Sequence, residues 1–247
     1  MESLHANEEL PILTLPPEAC SYLPGRTSQM EYRFGHGVAA TEFEHLLARG
    51  WRRFGSTIFR PKCPGCQECR SLRIAVDQFC PSKSQRKALR RNADVSILTQ
   101  PASVTGDHIA LFNAYHADMH HRRGWRREAI TEDEYYLTFV SGDCDFAHEM
   151  LFFSEGKLLG VALVDLMPAS SSSVYFFHDP SWRPASPGTY SLLMEIEAAR
   201  QSGRAHHYLG YWVAGNQSMQ YKANFRPHEL LAGHVGDGVT PDWNASV

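Results

Sequence analysis

No run of about 18 apolar residues occurs in this chain of 247, so it holds no segment able to cross a bilayer as a helix. Its opening residues, MESLHANEELPILTLPPEAC, lack the positive-then-apolar order of an export leader. A cytoplasmic protein is therefore expected, with its six cysteines reduced rather than paired. G-x-S-x-G, a Walker loop and HExxH are all missing, which leaves hydrolase, nucleoside triphosphatase and zincin readings without support. No long internal repeat is present. A strong charge excess is missing too: 24 Lys and Arg stand against 27 Asp and Glu, a formal net charge of −3. That balance argues against a protein that coats nucleic acid non-specifically, yet it permits a local basic site, because binding depends on clustering. What remains, 43% hydrophobic and 21% charged, is ordinary for a globular protein of one large or two small domains.

What is present concentrates between Phe59 and Arg91, FRPKCPGCQECRSLRIAVDQFCPSKSQRKALRR. Cys63, Cys66 and Cys69 have CxxCxxC spacing, and Cys20 supplies a fourth thiol, enough for a tetrahedral metal site. Arg60, Lys62 and Arg70 beside them favour thiolate. The competing reading is a small-residue turn with packed thiols, since the commonest zinc pattern uses two separated CxxC pairs. Cys80 and Cys144 are isolated packing residues. Ser82 to Gln85 has the S-x-x-Q form of a capping box and predicts a helix start. Lys83, Arg86, Lys87, Arg90 and Arg91 then share one stripe with almost no acid to balance it.

Along the chain, Pro24-Gly25 marks a turn before Arg26, and Thr41-Glu-Phe-Glu44 predicts a capped helix ending at Gly50. Residues 51–60 read as strand with a turn at Gly55-Ser56, and 72–76 as a strand buried on both faces. A domain boundary is placed within 93–106, dividing an N-terminal unit, 1–100, from a C-terminal unit, 101–247. Helical spacing follows over 108–121, then Arg122, Arg123, Arg126 and Arg127 interleave with Trp125 as a second basic cluster. Thr131 to Glu134 caps another helix. Strands are expected at 149–153, 158–166 and 174–178, with 168–173 as a polar loop. A helix over 189–201, a strand over 207–213 and a helix over 217–225 complete the pattern; the last twenty residues give little signal. The order β-β-β-α-β-α matches the second half of a GNAT-type acyltransferase, giving an α+β fold class of one or two such halves with an N-terminal Cys-containing region.

Two basic clusters in a net acidic protein point to an anionic ligand, phosphate or carboxylate, both of which arginine forks can grip. In the C-terminal half, Gly210 within TyrLeuGlyTyrTrp implies close approach of another group, and Tyr221-Lys222 place polar tips beside it. Asp179 ends a strand where a general base could sit, although Asp179-Pro180 also reads as a capped turn. The loop 183–188 stands where coenzyme A enzymes of this fold bind pyrophosphate, but Pro184 and Pro187 remove amides that such a loop would donate.

Four blocks, CSYLPGR at 20–26, FRPKCPGCQECRSLRI at 59–74, PSKSQRK at 81–87 and YLGYW with MQYKANFRP at 208–227, closely resemble the bacterial branch of the arginyl-tRNA–protein transferase family. The resemblance runs over about residues 18 to 230 in the family's order. It implies a GNAT-like transferase that moves leucine from leucyl-tRNA to proteins with N-terminal Asp or Glu, creating a degradation signal, with no membrane or DNA partner. Arginine as the donor amino acid stays open, as does a non-catalytic tRNA- or degron-binding adaptor. A small-molecule acetyltransferase is a further rival. No cofactor is required for the chemistry, because the aminoacyl ester is already activated; the resemblance points to Cys20, Cys63, Cys66 and Cys69 for zinc or an iron–sulfur cluster. Asp179, Tyr211, Tyr221 and Lys222 are expected around the reacting ester. Arg26, Arg60, Lys83, Ser84, Arg86 and Lys87 are expected at the acidic acceptor residue, and Arg90, Arg91, Arg122, Arg123, Arg126 and Arg127 on tRNA.

Overall fold

The computed structural model describes residues 11–126 and 129–246. In chain order the first elements are β1 (Leu13–Thr14), β2 (Glu18–Ala19), β3 (Thr27–Ser28), β4 (Met30–Phe34), α1 (Ala40–Ala48), β5 (Arg52–Phe54) and β6 (Thr57–Pro61). β2 and β3 make a small ribbon; the others form an antiparallel sheet in the order β1-β4-β6-β5. The turn at Gly55 requires glycine: its φ is +53°, and a Cβ there would lie 2.4 Å from the Leu137 carbonyl oxygen.

A larger sheet follows from β7 (Arg70–Ala75), α2 (Lys83–Arg91), β8 (Ser96–Pro101), α3 (Gly106–Arg123), α4 (Glu132–Tyr135), β9 (Ala147–Ser154), β10 (Lys157–Leu166), β11 (Ser170–His178), α5 (Pro187–Gln201), β12 (His206–Trp212), β13 (His228–Leu231) and β14 (Trp243–Ser246). Its order is β14-β13-β7-β12-β11-β10-β9-β8. β7, from the Cys-containing half, runs antiparallel to both β12 and β13. The boundary expected near residue 100 therefore crosses one sheet, and residues on both sides of it share a core.

Both faces of the large sheet are covered, so its central strands carry apolar side chains on both sides, with buried polar positions at Ser71, Asp165, Ser170 to Ser172 and His207. On one face Leu72 and Ile74 of β7 pack with Leu193, Ile196 and Ala199 of α5. On the other, Val161, Leu163 and Phe177 meet Leu111 and Phe112 of α3, Tyr135 of α4 and Phe139 just after it. Truncating a side chain such as Ile196 to Ala would open a cavity costing about 2–5 kcal/mol. The small sheet and α1 close over a third cluster, in which Trp51, Leu47 and Met167 are fully buried.

Several expectations change. Ala39, not Thr41, precedes α1, and no side chain caps it. The segment 93–106 contains β8, an edge strand whose side chains are mostly exposed or half-buried and so lack the alternation that marks a strand. Residues 170–173, read as loop, are strand; Ser170, Ser171 and Ser172 are buried and Ser173 half-buried, their hydroxyls satisfied by Glu44, Arg52 and His207. Residues 217–225 contain only a 3₁₀ turn, Gln220–Asn224. The silent C-terminus supplies β13 and β14. By contrast α2 starts where its capping box places it: Ser82 Oγ accepts from the Gln85 amide and Gln85 Oε1 from the Ser82 amide. No described helix is long and apolar enough to cross a membrane.

Candidate active site

β11 and β12 run parallel for only three residue pairs, Ser170 with His206 to Ser172 with Tyr208, and no pairing joins them beyond that point. Between the separated halves opens a cleft of about 630 Å³. Its walls include Val174, Phe176, Leu192 and Leu209, which are apolar, and Ser173, Ser191 and Glu195, which are not. Trp125, Tyr115 and Arg123 from the end of α3 and the segment after it also line it, and β5 contributes Arg52 and Arg53. A sheet that must part here exposes backbone and side chains that the ladder would otherwise hide.

Lys222 reaches this cleft from the 3₁₀ turn after β12. Its Nζ donates to the Tyr211 carbonyl at 2.9 Å and lies 3.6 Å from Met219 Sδ. Burial, reinforced by the positive charge of Arg52, lowers its pKa from the ordinary 10.5 to about 7. Gly210 makes the approach possible: its φ is +86°, and a Cβ would stand 3.2 Å from Nζ. A neutral amine that spends its N–H groups on these two acceptors keeps its lone pair for a proton.

Behind Ser173 and Ser191 sits Glu195, 4% exposed. Burial opposes its ionisation, but bonds from His207, Ser173 and Ser191 outweigh that effect and hold its pKa below the usual carboxylate range. Ser191 Oγ donates at 2.7 Å, and His207 Nε2 stands 3.3 Å from the carboxylate. Asp165, fully buried beside the cleft, is paired with Arg53.

The residues singled out from sequence divide sharply. Tyr221 and Lys222 line the cleft, as does Tyr211. The Tyr211 hydroxyl, however, donates to the Gly50 carbonyl at 2.7 Å, so its ring and carbonyl face the site while its hydroxyl is used in packing. Asp179 does not line it. Its carboxylate caps the 3₁₀ turn through the Ser181 amide at 2.8 Å and pairs with Lys157 at 2.6 Å. Bonds from Lys157 and Ser181 hold its pKa at about 2, so it is no proton acceptor near neutrality; the capped-turn reading holds. Arg60 is buried against Glu31 at 2.8 Å and stacks on Trp51, and cannot meet a substrate. Burial would raise the Glu31 pKa, yet bonds from Lys62, His234 and Arg60 bring it to about 2.

Lys83, Ser84, Arg86, Lys87, Arg90 and Arg91 are exposed on α2, and none lines the cleft. Arg86 donates to the Pro81 carbonyl, and Arg91 to the Pro184 carbonyl at 3.1 Å, just before α5. Arg26 is exposed. Arg122 lies 3.7 Å from Asp118, Arg123 lines the cleft and bonds Gln217, Arg126 is described, and Arg127 lies outside the described residues. Of the described cations assigned to acceptor or RNA, Arg123 alone reaches the cleft.

All four N-terminal thiols are free and half-buried. The Cys69 pKa is pushed up to about 12 by burial and by the charges of Cys63, Cys20 and Cys66. Cys63 Sγ is occupied by the Gln29 amide at 3.4 Å and the Gln29 carbonyl at 3.7 Å. Among the described residues no three His, Cys, Asp or Glu side chains are placed to hold a metal ion. The thiols as placed do not fit a bound ion.

Arg52 and Glu195 went unmarked in the sequence reading. One signal was available: Trp51-Arg-Arg-Phe54 puts consecutive arginines in a short strand, where neighbours face opposite sides, so one must point inward.

Comparison with known proteins returns two profiles of one family. Arginine-tRNA-protein transferase, C terminus, matches residues 107–232, and Arginine-tRNA-protein transferase, N terminus, matches residues 18–87. Aspartate/glutamate leucyltransferase of Campylobacter jejuni is 36% identical over 216 residues, 87% of this chain and 90% of that one. The Helicobacter hepaticus protein of the same name is 36% identical over 226 residues, 92% and 94% of the two chains. That of Chromohalobacter salexigens is 38% identical over 224 residues, 88% of each. Among solved structures, FemX aligns with a TM-score of 0.47 at 9% identity, covering 84% of this chain and 81% of its own.

Proposed function

The chain belongs to the arginine-tRNA-protein transferase family, and on that premise we propose that leucine passes in this cleft from leucyl-tRNA to a protein N-terminus. The activity is that of an aspartate/glutamate leucyltransferase, an aminoacyl-tRNA–protein transferase whose product carries a new degradation signal. The observation that carries the placement is Lys222, an amine with a pKa near 7 held by a main-chain carbonyl at the mouth of a parted sheet.

The acceptor's α-amine attacks the leucyl carbonyl carbon. A C–N bond forms, the ester C–O bond to the terminal ribose breaks, and the proton lost by the amine ends on the ribose oxygen. Lys222 carries that proton between the two: its pKa lies near the α-amine reference of about 8, so neither transfer runs steeply uphill. Tyr221 lines the cleft beside it, with its side chain 37% exposed. Leu192, Leu209, Val174 and Phe176 offer the leucyl side chain an apolar wall, and Glu195 gives that end of the cleft a fixed negative charge toward the leucyl ammonium.

The fold is GNAT-like on this reading. Support comes from the antiparallel run β9-β10-β11, the crossover α5, and a parallel β12 that leaves its partner after three pairs. Pro184 and Pro187 offer no amides at the start of α5, and the Pro184 and Ala185 carbonyls are held by Arg91 and Asn92. This closes the place where acyl-CoA enzymes of that fold seat a pyrophosphate. The exposed face of α2 adjoins that same end of α5, and tRNA phosphates fit it.

Purified protein incubated with labelled leucyl-tRNA or arginyl-tRNA and peptides beginning Asp, Glu or Ala tests the proposal. Transfer of leucine to the Asp and Glu peptides alone is expected. Binding of charged tRNA with no transfer to any peptide would make the protein an adaptor instead.

A further inference from the structure

Buried arginines in this molecule come in two kinds. Arg33, Arg52, Arg53 and Arg60 are each 6% exposed or less. Three of them have a carboxylate: Asp237 for Arg33, Asp165 for Arg53 and Glu31 for Arg60. Arg52 makes no ion pair among the described residues; the Asp165 carboxylate, held by Arg53, acts on it only from a distance. Its terminal nitrogens donate to Ser172 Oγ at 3.1 Å and Ser71 Oγ at 2.7 Å, both neutral, and its Nε has no hydrogen-bond partner. The rings of Tyr208 and Tyr211 lie 5.5 and 5.7 Å from the guanidinium carbon.

A guanidinium stays charged in proteins, so burying one with no carboxylate in contact with its fork is costly unless a ligand supplies one when the protein works. Arg52 lines the cleft at the apex where β11 and β12 part, since its partner Ser172 belongs to their last paired step. Lys222, the proton carrier assigned above, lines the same cleft and feels the Arg52 charge. The side-chain carboxylate of an Asp or Glu at a chain's first position lies only a few bonds from its α-amine. An amine positioned at Lys222 therefore brings that carboxylate into the part of the cleft that Arg52 faces. An RNA phosphate fits less well, because Arg52 is buried at the apex, whereas the exposed cations lie on α2 or, as Arg123, at the end of α3.

We propose that Arg52 is the specificity-determining residue that receives the acidic side chain of the acceptor. The fork donates to the carboxylate, Ser71 and Ser172 hold the fork in orientation, and an acceptor beginning with Asn or Gln leaves the charge unanswered. This rests on the leucyl-transfer reading, and the test separates the two.

The test uses the full chain, pre-charged leucyl-tRNA and four peptides that differ only in a first residue of Asp, Glu, Asn or Gln. If the wild-type protein transfers leucine to none of them, the transferase reading fails whatever Arg52 does. With wild-type transfer to Asp and Glu established, Arg52→Gln is expected to raise KM for those two roughly 10- to 100-fold, the scale of a lost charged hydrogen bond. Well above pH 7, where Lys222 is deprotonated with or without the Arg52 charge, kcat should stay within about threefold, and the Asp-over-Asn preference in kcat/KM should shrink by at least about tenfold. A KM for the Asp peptide within twofold of wild type overturns the assignment, as does an equal rise for Asp and Asn peptides. A rise confined to the KM for leucyl-tRNA would assign Arg52 to RNA and also overturn it. Should thermal melting show Arg52→Gln unfolded, Arg52→Lys decides. It keeps the charge but loses the fork, and is expected to raise KM for the Asp peptide about 3- to 10-fold; an unchanged KM contradicts the proposal.

Discussion

The positive charge that serves anion binding is divided between two regions that obey different physics. On α2, Lys83, Arg86, Lys87, Arg90 and Arg91 follow one another within nine residues and lie exposed or nearly so. In the cleft, Arg52 and Lys222 are separated by most of the sequence and brought together by β5 and the turn after β12. Solvated cations attract an anion over roughly 10 Å and lose that attraction to salt. Desolvated ones act only in contact, but each then has a consequence: a guanidinium that needs a counter-charge, or an amine that gives up its proton near neutrality. The first region suits a large, regularly charged polymer, the second a single carboxylate and a single reacting amine.

Four experiments bear on that contrast, in decreasing order of effect. Lys222→Met should slow single-turnover leucyl transfer by at least about 100-fold while leaving KM for leucyl-tRNA within twofold. The wild-type rate should climb as pH rises through about 7, as Lys222 loses its proton, whereas the variant should keep only the rise near about 8 that belongs to the acceptor's α-amine. Stability carries the same sign. The folded pKa of Lys222 lies below its ordinary 10.5, so the unfolded chain binds more protons between about 7 and 10.5. Stability should therefore rise with pH across that window, and denaturant melts of Lys222→Met should lack this component.

Neutralising α2 with Lys83→Gln, Arg86→Gln, Lys87→Gln and Arg90→Gln together should raise KM for leucyl-tRNA by tens of fold. The dependence of log KM on log salt should flatten by about 3, with kcat at saturating tRNA unchanged. An unaltered salt slope would remove α2 from the RNA surface. Gly210→Ala forces a Cβ into a left-handed backbone and against Lys222 Nζ. It should cost roughly 1–2 kcal/mol in urea melts and shift the ascending pH limb. Tyr211→Phe removes the bond to the Gly50 carbonyl and should cost about 1 kcal/mol while leaving kcat within twofold; a large fall in kcat would return the hydroxyl to the chemistry.

What the sequence makes legible follows the same division. The α2 stripe could be read from spacing because local geometry fixes it: Ser82 and Gln85 set the helix start, and the 3.6-residue period sets the face. Lys222 was noticed through its neighbours and Gly210, although its lowered pKa depends on burial that no local pattern records. For Arg52 the paired arginines of β5 signal only that one points inward; its surroundings are not legible, because Ser71, Ser172 and the two tyrosines come from β7, β11 and β12. Arg60 and Asp179 misled for the matching reason: the charges that occupy them, Glu31 and Lys157, lie 29 and 22 residues away. In β8 the missing signal was apolar alternation, which an edge strand with mostly exposed side chains does not need.

The most direct test of two charge sets with two tasks is to measure both Michaelis constants on both variants in one transfer assay. The account predicts a crossed result: α2 neutralisation raises KM for leucyl-tRNA and spares the Asp peptide, while Arg52→Gln raises KM for the Asp peptide and spares leucyl-tRNA. If either variant raises both constants alike, or the two exchange effects, the division is contradicted.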